Sequence, residues 1–204
     1  AYVGVIPFIM KNVRPRRLPA VPGISTFAEF NVRTYVIKDG QAGVFFLTLD
    51  AKSLITCIHA PRAYGLAYRY AKAKVKRNGD SLHWQSRRSS DGAQLRGTSN
   101  AKGSMQSAEA GSLEHFLFER YCLYTEHNGC LRRAYVYHQP WTYQEGDITL
   151  EVNSLLESYD LGLDVLAPDL IHISKGLPVK TWPIEVAERI DVNDQRDFLF
   201  LDGD

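Results

Sequence analysis

The sequence predicts a β-rich α+β fold, in its simplest form a closed or half-closed antiparallel β-barrel with two or three short helices. Three observations predict it. Asx-Gly pairs at Asp39-Gly40, Asn78-Gly79 and Asp91-Gly92 separate runs in which apolar and polar residues alternate. Hairpin turns of type I′ favour such pairs because both central residues need positive φ. Apolar residues at helical spacing occur only in short stretches, so helices are subordinate to strands. Finally, 204 residues at 45% hydrophobic content can bury one sizeable core, and no apolar run approaches the ~20 residues of a membrane-spanning helix.

The elements follow in order. Residues 1–8 are strand-like, and the chain opens inside them without an initiator Met, as a segment of something longer would. A proline-rich connector, 15–22, leads into an alternating run at 29–38, which Asp39-Gly40 turns back into 43–49. Asp50 is placed to cap a helix over 51–64, ended by Gly65, with Leu54, Ile55 and Ile58 on its buried side. The meander around the two later Asx-Gly turns comes next, then a Gly/Ser-rich loop over 98–111. Ser112 caps a short helix over 113–120, with Leu113, Phe116 and Leu117 as its apolar stripe. Strands at 121–126 and 131–138, a strand near 148–152, a helix near 154–159, and short strands at 170–174 and 179–186 bring the total to about nine strands. Residues 1–190 are expected to form one domain. Residues 191–204 begin as a polar linker and end in an apolar stretch similar to the first strand of a thiol-disulfide oxidoreductase-like domain, or to an edge-strand or disordered tail. A fused redox domain and homo-oligomerisation are the corresponding partner expectations.

In the meander, two-residue loops at the Asx-Gly pairs set Ala73 opposite Trp84, Tyr70 opposite Arg87, and Arg87 opposite Arg96. Side chains alternate along a strand. One face therefore carries Tyr68, Tyr70, Lys72, Lys74, Lys76, His83, Arg87 and Arg96, and the other Ala71, Ala73, Val75, Leu82, Trp84 and Leu95. One face is dry and the other basic. Opposed like charges destabilise a sheet, so Arg87 and Arg96 call for solvent or an anionic ligand between them.

The net charge of +1 conceals a polarity along the chain: residues 1–102 hold 17 Lys and Arg against 5 Asp and Glu, and residues 103–204 hold 7 against 18. Interleaved in one fold, the halves largely neutralise each other, which argues against a general nucleic-acid binder. The three cysteines, Cys57, Cys122 and Cys130, close no disulfide framework. The turn at 127–130 pairs Cys122 with Tyr135 and Cys130 with His127, so these two cysteines do not face each other. No spacing matches a zinc site, and no metal or cofactor is expected. A reducing, cytoplasmic setting is the economical reading, with no membrane partner.

Several stretches together are similar to one family. They are Phe27-Ala-Glu-Phe-Asn-Val-Arg-Thr-Tyr-Val36, Leu49-Asp50-Ala51, Tyr64-Gly65-Leu66-Ala67-Tyr68, the run from Gly111 to Tyr124, and His138-Gln-Pro-Trp141. They resemble the YqjF-like family, also called domain of unknown function 2071. The resemblance implies the acetoacetate decarboxylase fold, a cone-shaped β-barrel around a small cavity, whose decarboxylase members use a Schiff-base lysine. Laying their Gly-aromatic-Pro step on Gly65-Leu66-Ala67 puts Tyr68 at the lysine position, and a one-residue slip offers Arg69. Neither forms an imine, so Schiff-base decarboxylation is not expected. Glu29 falls where the decarboxylases carry an acidic cavity residue.

The candidate catalytic residues are Glu29, Tyr68 and His115. The candidate ligand-binding residues are Glu29, Asn31, Arg33, Tyr68, Arg69, Tyr70, Arg87 and Arg96. Glu29, Asn31, Arg33 and Tyr35 share one strand face, where Arg33 is suited to a carboxylate or phosphate and Glu29 to acid or base work; a solvated face or a Glu29–Arg33 ion pair is the structural alternative. His115 and Glu119 stand one helical turn apart, as a carboxylate-oriented histidine or a plain helix contact. His138 reads as a turn anchor, and Lys72, Lys74 and Lys76 as a solvated edge. The leading functional expectation is a small-molecule-binding barrel whose cavity takes an anionic carboxylate or phosphate metabolite. The alternative is a non-catalytic interaction or regulatory module. A third reading, single-stranded nucleic acid on the Tyr/Lys/Arg face, predicts binding that weakens steeply with salt.

Overall fold

The structure of the protein, a computed structural model, describes residues 1–14, 17–157 and 159–189. The expected second-domain start and linker at 191–204 lie outside the described residues. In chain order the strands are β1 (Val3–Met10), β2 (Phe27–Lys38), β3 (Gln41–Ala51), β4 (Tyr68–Asn78), β5 (Ser81–Arg88), β6 (Gln94–Ser107), β7 (Cys122–His127), β8 (Cys130–Tyr137), β9 (Thr142–Asn153), β10 (His172–Ile173), β11 (Lys180–Thr181) and β12 (Glu185–Arg189). Helix α1 (Leu54–Tyr64) follows β3, α2 (Leu113–Phe118) follows β6, and α3 (Ser154–Glu157) follows β9. The fold is thus mostly β with three helices among the described residues.

The expected closed barrel does not form: the strands make one large, open sheet. Its neighbours run β10-β9-β6-β5-β4-β3-β7-β8-β11, with β1-β2 joined to β3 and β12 to β8. The reason lies in β3. Its last residues, Leu49–Ala51, pair parallel with Tyr68–Tyr70 of β4, while Val44 and Phe45 pair parallel with Leu123 and Tyr124 of β7. Two strands therefore share a single edge of β3, and the ladder branches there instead of returning to its start. The sheet nevertheless curls until β2 meets the meander: Phe30, Val32, Ala73, Trp84, Leu95 and Leu155 form the largest apolar cluster. Burying such surface at about 25 cal/mol per Å² drives the curl without any closing hydrogen bonds. Trp84 packs across the strand onto Gly97, where a Cβ would lie 2.6 Å from its ring and 2.4 Å from the Thr149 carbonyl.

Both meander registers are shifted by two residues from the expected ones. At the first turn Asn78 still pairs with Ser81, so Gly79 and Asp80 are the loop and Trp84 faces Val75, not Ala73. At the second, the last pair is Arg87 with Gln94, and Arg96 faces Gln85. Arg87 and Arg96 are therefore not opposed. The wider loop arises because the Asp91 carboxylate accepts the Ala93 N–H at 3.0 Å and the Arg88 N–H reaches the Ala93 carbonyl at 2.8 Å. A shift of two preserves the faces, so Ala71, Ala73, Trp84 and Leu95 are buried as a set.

Three further expectations are corrected. Ser53, not Asp50, caps α1, its hydroxyl accepting the Thr56 N–H at 3.3 Å, because Asp50 is held within β3. Leu54, Ile55 and Ile58 are 60%, 57% and 51% exposed, and Ala60 is the buried residue of that helix. Most of the supposed loop after residue 98 is β6, which pairs with β9 through two register irregularities and so tolerates its glycines. The Gly65 and Ser112 caps, the pairing of Cys122 with Tyr135 and of Cys130 with His127, and the turn at Asp39-Gly40 stand as read from the sequence.

Candidate functional site

The site is a row of polar side chains on one face of β2. Phe30 and Val32 point into the core, so by alternation Glu29, Asn31, Arg33 and Tyr35 occupy the opposite face. That face is covered, leaving Glu29 2% and Asn31 5% exposed. Ala51 lies opposite Glu29 and Leu49 opposite Asn31, and Leu49 in turn pairs with Tyr68 of β4. This short parallel contact carries the Tyr68 hydroxyl to Glu29, where it donates to Oε2 at 2.8 Å. Tyr68 belongs by alternation to the basic face of the meander but is half-buried, whereas Tyr70, two residues on, is 40% exposed.

Burial pushes the Glu29 carboxyl from 4.5 up to about 7, outweighing the hydrogen bonds from Tyr68 and Asn31 that favour its anion. Burial, then the neighbouring Glu29 charge, pushes the Tyr68 phenol well above its usual value and keeps it a donor. Cys57 of α1 stands close to both. Burial first, then the Glu29 and Asp50 charges, push its thiol up to about 11, and its Sγ faces the Ala51 carbonyl. It is a neutral thiol rather than a nucleophile. Glu29 is the group here that titrates near neutrality, as acid or base work requires.

The other end of the row is cationic. Arg33 donates through Nη2 to the Leu117 carbonyl at 3.3 Å and lies 5.6 Å from the Tyr35 ring. Arg120 lies 4.2 Å over the Phe116 ring; burial, then the nearby Arg33 charge, lowers its pKa. Among the described residues, neither arginine forms an ion pair with a carboxylate. Asn31 Oδ1 and Arg33 Nε are buried without hydrogen-bond partners. The expected alternative of a Glu29–Arg33 ion pair is absent.

The other predicted residues lie elsewhere. Arg69, Tyr70, Arg87 and Arg96 are exposed, and Arg96 is paired with Glu151 at 2.7 Å. The basic meander face therefore meets solvent beyond Tyr68, because its opposite face holds the core. His115 does not meet the Glu119 side chain. The Glu119 carboxylate accepts the Trp141 N–H at 2.8 Å and the Tyr121 hydroxyl. His138 anchors a turn, its ring nitrogens at the Gln139 and Arg120 carbonyls. Arg120 was missed by sequence reasoning, since nothing local distinguishes the last residue of a helical stretch as part of a site on β2.

A second buried polar group was also missed. Arg88 donates through Nε to Asp50 Oδ1, through Nη2 to Thr48 Oγ1 and through Nη1 to Asp91 Oδ2, each at 3.0 Å. Asp50 is fully buried, opposite Phe30 on the core face. Burial raises its pKa and Arg88 opposes that. The signal was present in the sequence: period two from Trp84 runs through Ser86 to Arg88, placing a charge on the dry face that must find a partner. Among the described residues no group of three or more His, Cys, Asp or Glu could hold a metal. No described helix is long and apolar enough to cross a membrane. Recesses of about 310 Å³ beside Leu156–Leu166 and about 420 Å³ beside Tyr121, Tyr135 and Trp182 are lined by other residues than the Glu29 row.

Residues 1–178 match DUF2071, described as "Uncharacterized conserved protein". The chain is 34% identical over 185 residues to the uncharacterized protein YqjF of Bacillus subtilis (strain 168), covering 90% of this chain and 76% of that protein. Among solved structures, an acetoacetate decarboxylase superposes with a TM-score of 0.53 at 14% identity, covering 89% of this chain and 85% of that one. The enduracididine biosynthesis enzyme MppR with HEPES buffer bound superposes with a TM-score of 0.54 at 13% identity, over 83% of this chain and 68% of that one. At such identities the likeness establishes a shared fold.

Proposed function

The chain belongs to the DUF2071 family of uncharacterized conserved proteins, and from that premise we propose that it binds a small anionic metabolite, a carboxylate or phosphate, along the Glu29–Tyr35 face of β2. The observation that carries the reading is the pair of arginines, Arg33 and Arg120, neither of which forms an ion pair with a carboxylate among the described residues; burial, and after it the Arg33 charge, lowers the pKa of Arg120. An anion between them removes the repulsion and supplies charge-assisted hydrogen bonds. Glu29, hydrogen-bonded by Tyr68, is then the group that gives or takes a proton at the far end of the bound molecule. A Schiff base forms no part of the proposal, because the row contains no lysine and the resemblance puts Tyr68, or by a one-residue slip Arg69, at the decarboxylases' lysine position.

MppR, of the same fold, has been solved with the condensation product of pyruvate and imidazole 4-carboxaldehyde, which makes small keto acids natural first probes. The test is a thermal-shift titration with acetate, pyruvate and phosphate at low and high salt. Ligand at ~100 times its Kd adds about 2.7 kcal/mol of stability. Arg33→Met is expected to abolish the shift while leaving the unliganded melting temperature near wild type. A shift that survives Arg33→Met removes the arginine from the site, and unfolding of the variant makes Arg33 structural.

A second reading, an interaction module, has one observation in its favour: the exposed Leu54, Ile55 and Ile58 of α1.

A further inference from the structure

The two unpartnered atoms of the row have opposite hydrogen-bonding character. Asn31 Oδ1 is an acceptor and Arg33 Nε–H a donor, both buried. Of the other polar atoms of these side chains, the Asn31 amide bonds Glu29, and Arg33 Nη2 donates to the Leu117 carbonyl. What the row buries without a partner is therefore one acceptor and one donor. The two residues are i and i+2 on a strand, so they stand on one face with Cα atoms about 6.6 Å apart. Hydrogen bonds of about 2.9 Å to oxygens on adjacent carbons are compatible with two residues at that spacing.

A ligand that satisfies both atoms must offer an acceptor to Arg33 and a donor to Asn31. The unneutralised arginines make a carboxylate the favoured acceptor, and the short spacing puts the donor on the carbon next to it. A keto group there has no proton to give and leaves Asn31 Oδ1 buried and unpaired, a condition that costs its full desolvation. An ammonium group in that place carries a positive charge toward Arg33 and Arg120. Resting on the anion-binding reading above, we infer that the site selects a 2-hydroxy carboxylate over the matching 2-keto carboxylate, the carboxylate on Arg33 and the hydroxyl donating to Asn31 Oδ1.

Sites built to hydrogen-bond a substrate hydroxyl reject the analogue that lacks it by large factors. The experiment titrates the full chain at pH 7 with D-lactate, L-lactate, pyruvate and lactamide, reading affinity by calorimetry. One lactate enantiomer is expected to bind at least tenfold tighter than pyruvate, and lactamide, which keeps the hydroxyl but lacks the charge, to bind weakly. Asn31→Ala is expected to bring lactate down to the affinity of pyruvate without weakening pyruvate. Equal binding of lactate and pyruvate overturns the inference and leaves the anion-binding reading standing. Lactamide binding as tightly as lactate overturns the carboxylate assignment. Failure of every carboxylate to bind removes the anion-binding reading and the inference with it. If Asn31→Ala does not fold, the lactate-to-pyruvate ratio of the wild-type chain decides alone.

Discussion

Glu29 links the site to pH. Its carboxyl is raised from 4.5 to about 7 by burial, so the folded protein holds a proton that the unfolded chain releases at lower pH. The native state then binds more protons than the unfolded state between those values, and stability from this group is complete below pH 4.5 and lost as pH rises through about 7. The full effect is on the order of 3 kcal/mol. Glu29→Gln, which keeps the shape and removes the titration, is expected to flatten the fall in melting temperature between pH 5 and 8 and to be more stable than wild type at pH 8. Parallel pH profiles for the two proteins are the outcome that contradicts this. The alternation that groups Glu29 with Asn31 and Arg33 was legible in the sequence. That this face is covered was not, because alternation sorts residues into two sets without saying what lies over each.

At the scale of elements, Arg88 ties β5 to β3 through Asp50 and Thr48. Asp50 is fully buried and its Oδ2 has no partner, so its charge is tolerated through Arg88. Arg88→Met is expected to cost about 3–5 kcal/mol in urea unfolding, because it leaves a buried carboxylate alone. Asp50→Leu combined with Arg88→Met is expected to cost much less than the two single losses added together. Strict additivity contradicts the pairing. The same pair explains the missed helix cap, since an Asp committed to a buried arginine is not free to cap α1, and Ser53 takes that role. Reading turn residues gave each hairpin's existence but not its register, because Asp91 widens the second loop through its own hydrogen bonds.

For the whole molecule, the charge polarity of the chain is resolved by packing. Arg96–Glu151 at 2.7 Å, Lys102–Asp147 at 2.5 Å and Lys38–Glu188 at 2.6 Å each join the basic first half to the acidic second. These exposed pairs contribute little stability singly, but they set opposite charges of the two halves side by side. Among the exposed apolar side chains are Leu54, Ile55 and Ile58 on α1. The double change Ile55→Ser and Ile58→Ser is expected to alter unfolding free energy by no more than about 0.5 kcal/mol, since both side chains are already in water. If α1 is an association surface, sedimentation velocity shows the wild-type chain larger than this variant; identical sedimentation of the two removes α1 from that role. A loss of several kcal/mol on unfolding makes the helix face part of the core instead.

The sequence by itself determined what depends on neighbours along the chain: the Asp39-Gly40 hairpin, the Gly65 and Ser112 caps, the sorting of the meander into a dry and a basic face, and, through quoted motifs, the family. Only the tertiary structure decided that the sheet branches at β3 instead of closing, that the basic face meets solvent, and that Arg120, two residues beyond α2, supplies cationic company for Arg33. It also decided the partners of the two most deeply buried carboxylates. Glu29 meets Tyr68 and Asp50 meets Arg88 across 39 and 38 residues of chain. The physical reason is that backbone preference and alternation act over a few residues. The dielectric surroundings and hydrogen-bond partners of a buried charge are set by whichever distant strand is packed against it.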